Sequence, residues 1–147
     1  MITEFQIFES NTNKCWFYHA TKPKYLLSII KNGLLPNDDR PTNWKTEPEL
    51  SWSRGKVFVT ESFSDADDYG YDINNCWNKL KWYPILRIKM NPKELEKDYD
   101  LDNDWYSRKP IRGEFEIFIR FPNNNIEKNI PSDKEWKKLT PELIKKL

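Results

Sequence analysis

Three side chains in this sequence combine a reactive type with an informative position: His19, Glu114 and Glu116. His19 is the single histidine in 147 residues, and it stands where an apolar run stops and a helix is about to begin. An imidazole at the end of a strand can donate or accept a hydrogen bond at the mouth of a sheet. Glu114 and Glu116 are two apart in an alternating segment, so they project from one strand face, roughly 6–7 Å apart at the usual rise. Two carboxylates that near raise each other's pKa or require a cation. Each feature also has a plain explanation: a lone His is commonly a surface residue, and a Glu-x-Glu strand is commonly a hydrated edge. Phe118, on the same face as the two acids, breaks the polarity of such an edge and suits a cleft wall.

The rest of the sequence restricts the chemistry further. One histidine and no nucleophile elbow exclude a Ser-His-Asp arrangement. Four scattered glycines make no phosphate-cradling loop. A single strand does not by itself place two carboxyls on opposite sides of a glycosidic bond. What fits is cleavage of an activated glycosidic bond whose leaving group is already cationic, because that needs no general acid. Such a site requires a clamp on the leaving ring, a hydrogen-bond anchor on the sugar and a carboxylate near the developing oxocarbenium charge. Aromatic residues, His19 and the Glu pair are those three parts, and NAD is the natural substrate of that type.

The elements that must position these residues are legible in the patterning. Phe5 to Phe8 alternates weakly, as a short strand or arm, and Asn11 to Asn13 is a turn. Cys15 to His19 is a nearly continuous apolar run, as in a strand buried on both faces. Thr21 is a candidate N-cap, Pro23 sits in the first helical turn, and Tyr25, Leu26, Ile29, Ile30 and Leu34 follow at helical spacing until Gly33 ends the helix. The polar stretch from Leu35 to Arg54 carries Trp44 and Trp52, and a loop of that length is usually functional or mobile. Gly55 to Thr60 reads as a strand. A helix capped by Ser62 or Ser64 comes next, with Ala66, Tyr69, Ile73, Trp77 and Leu80 on one face and a weak middle at Gly70 to Asn75. Trp82 to Met90 is a strand, Asn91-Pro92 opens a helical turn through Leu95, and Asp98 to Asp104 is an acidic loop. Arg112 to Arg120 is the clearest period-two strand, with Phe115, Ile117 and Ile119 facing one way. Pro122 to Asn125 turns the chain, and Ser132 and Thr140 start two short helices. Five or so strands with three or four helices, in mixed order, predict a single α+β domain over residues 1–147.

Composition bounds the partners. Lys and Arg number 24 against 23 Asp and Glu, a formal charge of +1, so bulk charge supports neither nucleic-acid nor membrane-surface binding, while a local basic patch stays open. Seven Trp, seven Tyr and eight Phe predict an aromatic-rich core. Cys15 and Cys76 have no His or Cys partners at metal spacing, so no metal is expected, and reduced thiols point to a cytoplasmic protein. No signal peptide or membrane span is visible.

The order of the motifs resembles the ADP-ribosyltransferase superfamily, in particular its diphtheria-toxin-like and poly(ADP-ribose)-polymerase-like branch. Tyr18-His19-Ala20-Thr21, with the helix ending Ile29-Ile30-Lys31-Asn32-Gly33-Leu34, looks like that family's first strand, His-Gly-Thr motif and following helix. Gly55 to Thr60 with Ser64-Asp65-Ala66-Asp67-Asp68-Tyr69 is similar to the strand and helix behind its nicotinamide pocket. Glu114-Phe115-Glu116 is similar to its late catalytic-Glu strand. The match runs from about Tyr18 to Ile126.

The resemblance implies a small split, mixed or antiparallel β-sheet core with flanking helices. It also implies an NAD-dependent mono-ADP-ribosyltransferase, a toxin or phage-type effector that releases nicotinamide and modifies a protein or nucleic acid. His19 would hydrogen-bond the nicotinamide ribose, and the backbone at Ala20, beside Thr21, would hold the carboxamide. Phe58, Phe63, Tyr69 or Tyr71 would form the stacking wall, and Glu116, or else Glu114, would stabilise the oxocarbenium ion. Ala20 replaces the family's usual Gly, and Val57 stands where a Tyr is frequent. These departures keep open a non-catalytic nucleotide- or partner-binding module on the same scaffold. An RNA 2′-phosphotransferase-like enzyme is a further alternative, weakened by Tyr18 before the His and by the lack of a second His. Acceptor choice would lie in the Trp44–Trp52 and Asp98–Asp104 loops.

Overall fold

The computed structural model describes residues 13–36, 55–77, 81–99, 103–122 and 130–147. The expected strand at Phe5 to Phe8, all of the Trp44–Trp52 loop, Leu80, the centre of the acidic loop and the Asn123–Asn125 turn lie outside these residues. Among the described residues, seven strands form one antiparallel sheet: β1 (Cys15–Ala20), β2 (Val57–Thr60), β3 (Tyr83–Met90), β4 (Glu96–Lys97), β5 (Asp104–Ser107), β6 (Glu116–Arg120) and β7 (Lys137–Lys138). Their order across the sheet is β4-β5-β2-β1-β3-β6-β7. Three α-helices among the described residues accompany it: α1 (Leu26–Asn32), α2 (Phe63–Ile73) and α3 (Pro141–Lys145). The α+β class follows. The sheet is single rather than split, yet its seam between β1 and β2 is thin. All six residues of β1 are in register with β3, whereas only Tyr18↔Thr60 pairs with β2.

Because directly opposed residues share a face, the register sorts the core into two layers. On one side Phe17, Val57, Val59, Leu86, Ile88 and Ile117 pack with Leu26 and Ile29 of α1 and with Leu139. On the other, Ile85 and Tyr83 pack with Phe63 and Ala66 of α2 and with Trp136, beside Tyr18 and Phe118. The period-two reading of the late strand holds: Phe115 and Ile117 are buried in the first layer, with Ile119 packed against it. β1 is half-buried rather than covered on both faces, with only Phe17 and Ala20 fully enclosed. The strand enclosed on both faces is its neighbour β3, buried from Tyr83 to Ile88.

The helices start and stop for local reasons. A 3-10 turn at Pro23–Tyr25 precedes α1 and is capped at Lys22, not at Thr21, whose side chain is buried instead. Gly33 ends α1 at φ +80, and its N–H donates to the Ile29 carbonyl. Ser62 caps α2 by accepting from the Asp65 amide, and Asp65 sits in the first turn where the helix dipole favours it. α2 runs through Gly70 and stops at Asn74, so Trp77 is outside the helix and exposed. Its buried face is Phe63, Ala66, Asp67, Gly70 and Ile73. Gly70 is there because a side chain would strike the Tyr83 ring and the Ala20 methyl.

Candidate functional site

His19 lies at the thin β1–β2 seam. Its Nδ1 is 2.8 Å from the backbone oxygen of Phe58. A carbonyl only accepts, so Nδ1 carries the proton and the neutral ring offers Nε2 as an acceptor. Burial lowers the His19 pKa below its ordinary 6.5, partly opposed by the Phe58 hydrogen bond, so the ring is neutral near pH 7. The imidazole thus supplies a cross-strand hydrogen bond where the register between β1 and β2 is down to one pair. It does so with one fixed tautomer and orientation.

The other expected binding residues divide. Ala20 is buried on the opposite face from His19, facing α2 at Gly70. Thr21 is buried with its carbonyl accepting from the Asn74 amide at 3.3 Å. Phe58 gives its carbonyl to His19 while its ring meets Tyr106 at 5.7 Å. Phe63 does not form a wall. It is 5% exposed and packed edge-on to Tyr18, Phe118 and Trp136, so its faces are spent on the core. Tyr69 and Tyr71 are half-buried on α2, Tyr71 against the aromatic layer.

The two acids are not brought to His19. His19 is opposite Leu86, and Leu86 is opposite Ile117, so His19 belongs to the Ile117 face. Glu116 is opposite Arg87, which is opposite Tyr18, so Glu116 is on the other side of the sheet. There it pairs with the Arg87 guanidinium at 2.7 Å. Glu114 precedes β6 and is 84% exposed, 3.5 Å from Lys138. The expectation that His19 and a Glu of this strand meet at one ribose is corrected by strand parity. Glu116 is a partner of Arg87, and Glu114 is a hydrated surface acid.

Two buried charged groups escape a sequence reading. Arg87 is 6% exposed, lies over the rings of Trp16 and Trp136 at 3.9 and 4.5 Å, and is also paired with Asp133 at 3.1 Å. It ties β1, β3, β6 and the C-terminal segment together. The available signal was a cation, Arg87, inside the apolar run from Tyr83 to Ile88. Asp67 is fully buried on α2, accepts from the Tyr83 hydroxyl, and receives two hydrogen bonds from Arg120 at 3.2 Å. Burial and this carboxylate hold the Tyr83 phenol above its ordinary range. Asp67 sits four residues after Phe63 and three before Gly70, which is helical spacing for one face, but hydropathy assigns it to solvent.

Comparison with protein-family models, curated proteins and solved structures finds no match. Among the described residues no group of three His, Cys, Asp or Glu side chains is placed to hold a metal ion. Cys15 is exposed and Cys76 buried, and both are free. No helix among the described residues is long and apolar enough to cross a membrane.

Proposed function

We propose that the chain is an ADP-ribosyltransferase-type domain that binds NAD at the β1–β2 seam and transfers ADP-ribose to a macromolecular acceptor. The observation that carries this reading is the His19–Phe58 hydrogen bond, which aims a neutral imidazole with Nε2 as acceptor. A ribose hydroxyl is the complementary donor. The motif order from Tyr18 to Glu116 supports the same reading by resemblance. NAD would supply a glycosidic bond to an already cationic nicotinamide, so the protein's tasks are orientation and exclusion of water. His19 would orient the ribose, and backbone groups of Ala20 and Thr21 would meet the carboxamide. The role expected of Glu116 or Glu114 at the oxocarbenium centre is not part of this proposal, because the fit of the acids to the His19 face fails.

That failure favours a second reading, a nucleotide-binding module without turnover. Calorimetry with NAD and a labelled-NAD assay with lysate, on wild type, His19→Ala and Glu116→Gln, separate the two. Transfer of label lost in His19→Ala supports the enzyme. NAD binding lost in His19→Ala without nicotinamide release by any variant supports the module. Absence of NAD binding by the wild type rejects both.

A further inference from the structure

The end of β1 is anchored by a group from outside the sheet. The β1–β3 register runs through Ala20↔Ile85, and one pair further on the Thr21 N–H donates to the Pro84 carbonyl at 3.5 Å. In an antiparallel ladder the opposite residue returns a hydrogen bond, here to the Thr21 carbonyl. Pro84 has no N–H to return. β2 gives no help at this point, because its register with β1 is the single pair Tyr18↔Thr60. The missing donor comes from α2. The side-chain amide of Asn74, the residue that ends the helix, donates to the Thr21 carbonyl at 3.3 Å and to the Gly70 carbonyl at 2.9 Å. Both partners are carbonyls, so the amide nitrogen and not its oxygen must face them. Gly70 and Asn74 are about one helical turn apart and meet consecutive residues of the strand end. Gly70 passes close to the Ala20 methyl, and Asn74 reaches the next carbonyl. Thr21 is 3% exposed, so water is a poor substitute for this donor.

We propose that Asn74 is a positioning residue of the His19 site. It replaces the ladder bond that Pro84 cannot make, and so holds the end of β1 where the His19 ring reaches the Phe58 carbonyl. This role rests on the reading of that site as an NAD site, and it names a residue outside the seam that sets the site's geometry. His19 is two residues before Thr21, and its bond to Phe58 crosses a seam with one register pair. A strand end that frays from β3 would carry the ring with it. Helix capping by itself accounts for the bond to Gly70, four residues back in α2. It does not account for the bond to Thr21, 53 residues away in the chain and opposite a proline.

The test reads three quantities: amide exchange at Thr21, the His19 Nδ1–H resonance, and NAD affinity by calorimetry. The proteins are wild type, Asn74→Ala, Asn74→Asp, Pro84→Ala and the double variant Asn74→Ala with Pro84→Ala. Asn74→Asp keeps the shape of the side chain and lacks its donor. Both Asn74 variants are expected to speed Thr21 exchange about 5- to 100-fold, the range for a buried carbonyl left without a donor. They should also broaden the His19 Nδ1–H signal and weaken NAD binding about 3- to 10-fold, the size of one hydrogen bond. Pro84→Ala places an N–H opposite Thr21, so in its background Asn74→Ala should alter exchange and affinity by less than about 2-fold. Unchanged Thr21 exchange in both Asn74 variants overturns the proposal, as does a loss that Pro84→Ala leaves undiminished. If Pro84→Ala does not fold, the two single variants decide through the His19 signal and NAD affinity, which loss of a helix cap alone leaves unchanged. Wild type and Asn74 variants binding NAD equally well overturns the positioning role and leaves the NAD reading standing. Wild type that binds no NAD overturns both.

Discussion

The imidazole of His19 donates from Nδ1 to the carbonyl oxygen of Phe58 across a seam where β1 and β2 share one register pair. This bond sets the tautomer, the ring direction and the charge of the one histidine in the chain. It also uses a carbonyl that a regular ladder would engage with a backbone amide.

The histidine is directly observable because its resonance has no overlap. Long-range proton–nitrogen spectra near neutral pH are expected to show Nδ1 protonated, and the ring to titrate below 6.5. The sign for stability follows. Between the lowered folded value and 6.5 the unfolded chain binds a proton that the folded chain does not. The contribution is therefore complete above about pH 6.5 and is lost as pH falls through the folded value. Urea unfolding should show wild type losing stability faster than His19→Gln across that window, by at most about 1.4 kcal/mol per pH unit. Parallel profiles would show that His19 is not desolvated.

Arg87 is expected to be the most sensitive charged position in the sheet. Arg87→Ala removes a guanidinium that lies over Trp16 and Trp136 and strands Glu116, a change of about 3–5 kcal/mol. Arg87→Lys recovers little, since an ammonium cannot match the planar contacts. Asp133→Asn should stay within about 0.5 kcal/mol, because Asp133 is 89% exposed. Denaturant midpoints measured on the three variants give the order, and a large Asp133 effect would contradict it.

Asp67 is buried with Tyr83 and Arg120, so removing it takes this acceptor from a hydroxyl and a guanidinium. Asp67→Ala is expected to lose about 3–5 kcal/mol. The paired change Asp67→Leu with Arg120→Met should cost much less than the sum of the two single changes, as a double-mutant cycle in chemical denaturation would show. Additivity would mean that the pair is not coupled.

Gly33 should tolerate no side chain. Its φ is +80, and a Cβ there would strike the Ile111 carbonyl oxygen, the acceptor of the Leu34 amide at 2.9 Å. Gly33→Ala is expected to lower stability by about 1–3 kcal/mol, from backbone strain and the disturbed Leu34–Ile111 bridge. An unchanged melting temperature would argue against this geometry.

Local structure was largely readable from residue order. Pro23, Gly33, Ser62 and Thr140 mark helix ends through constraints that act within a few residues, and Phe115 to Ile119 alternates as a half-buried strand must. The exceptions are also local. Thr21 is one residue too early to cap, because the chain enters a 3-10 turn first, and α2 ends at Asn74 before the apolar spacing does.

The face on which each candidate residue lies was not readable, because it depends on which strands pair and in what register. Glu116 and His19 have suitable types and a plausible order, yet the chain of pairs His19–Leu86–Ile117 puts them on opposite sides of the sheet. A shift of one residue would have reversed that result. The same applies to Arg87 and Asp67, which hydropathy sends to solvent and tertiary packing buries among complementary charges. The sequence by itself determined the longer elements, several of their ends and the α+β class, since short-range sterics and hydrogen bonding decide these. The short strands β4, β5 and β7, by contrast, exist only through their pairing. Only the tertiary structure decided which side chains meet, because contact between residues far apart in the chain is set by strand order and parity.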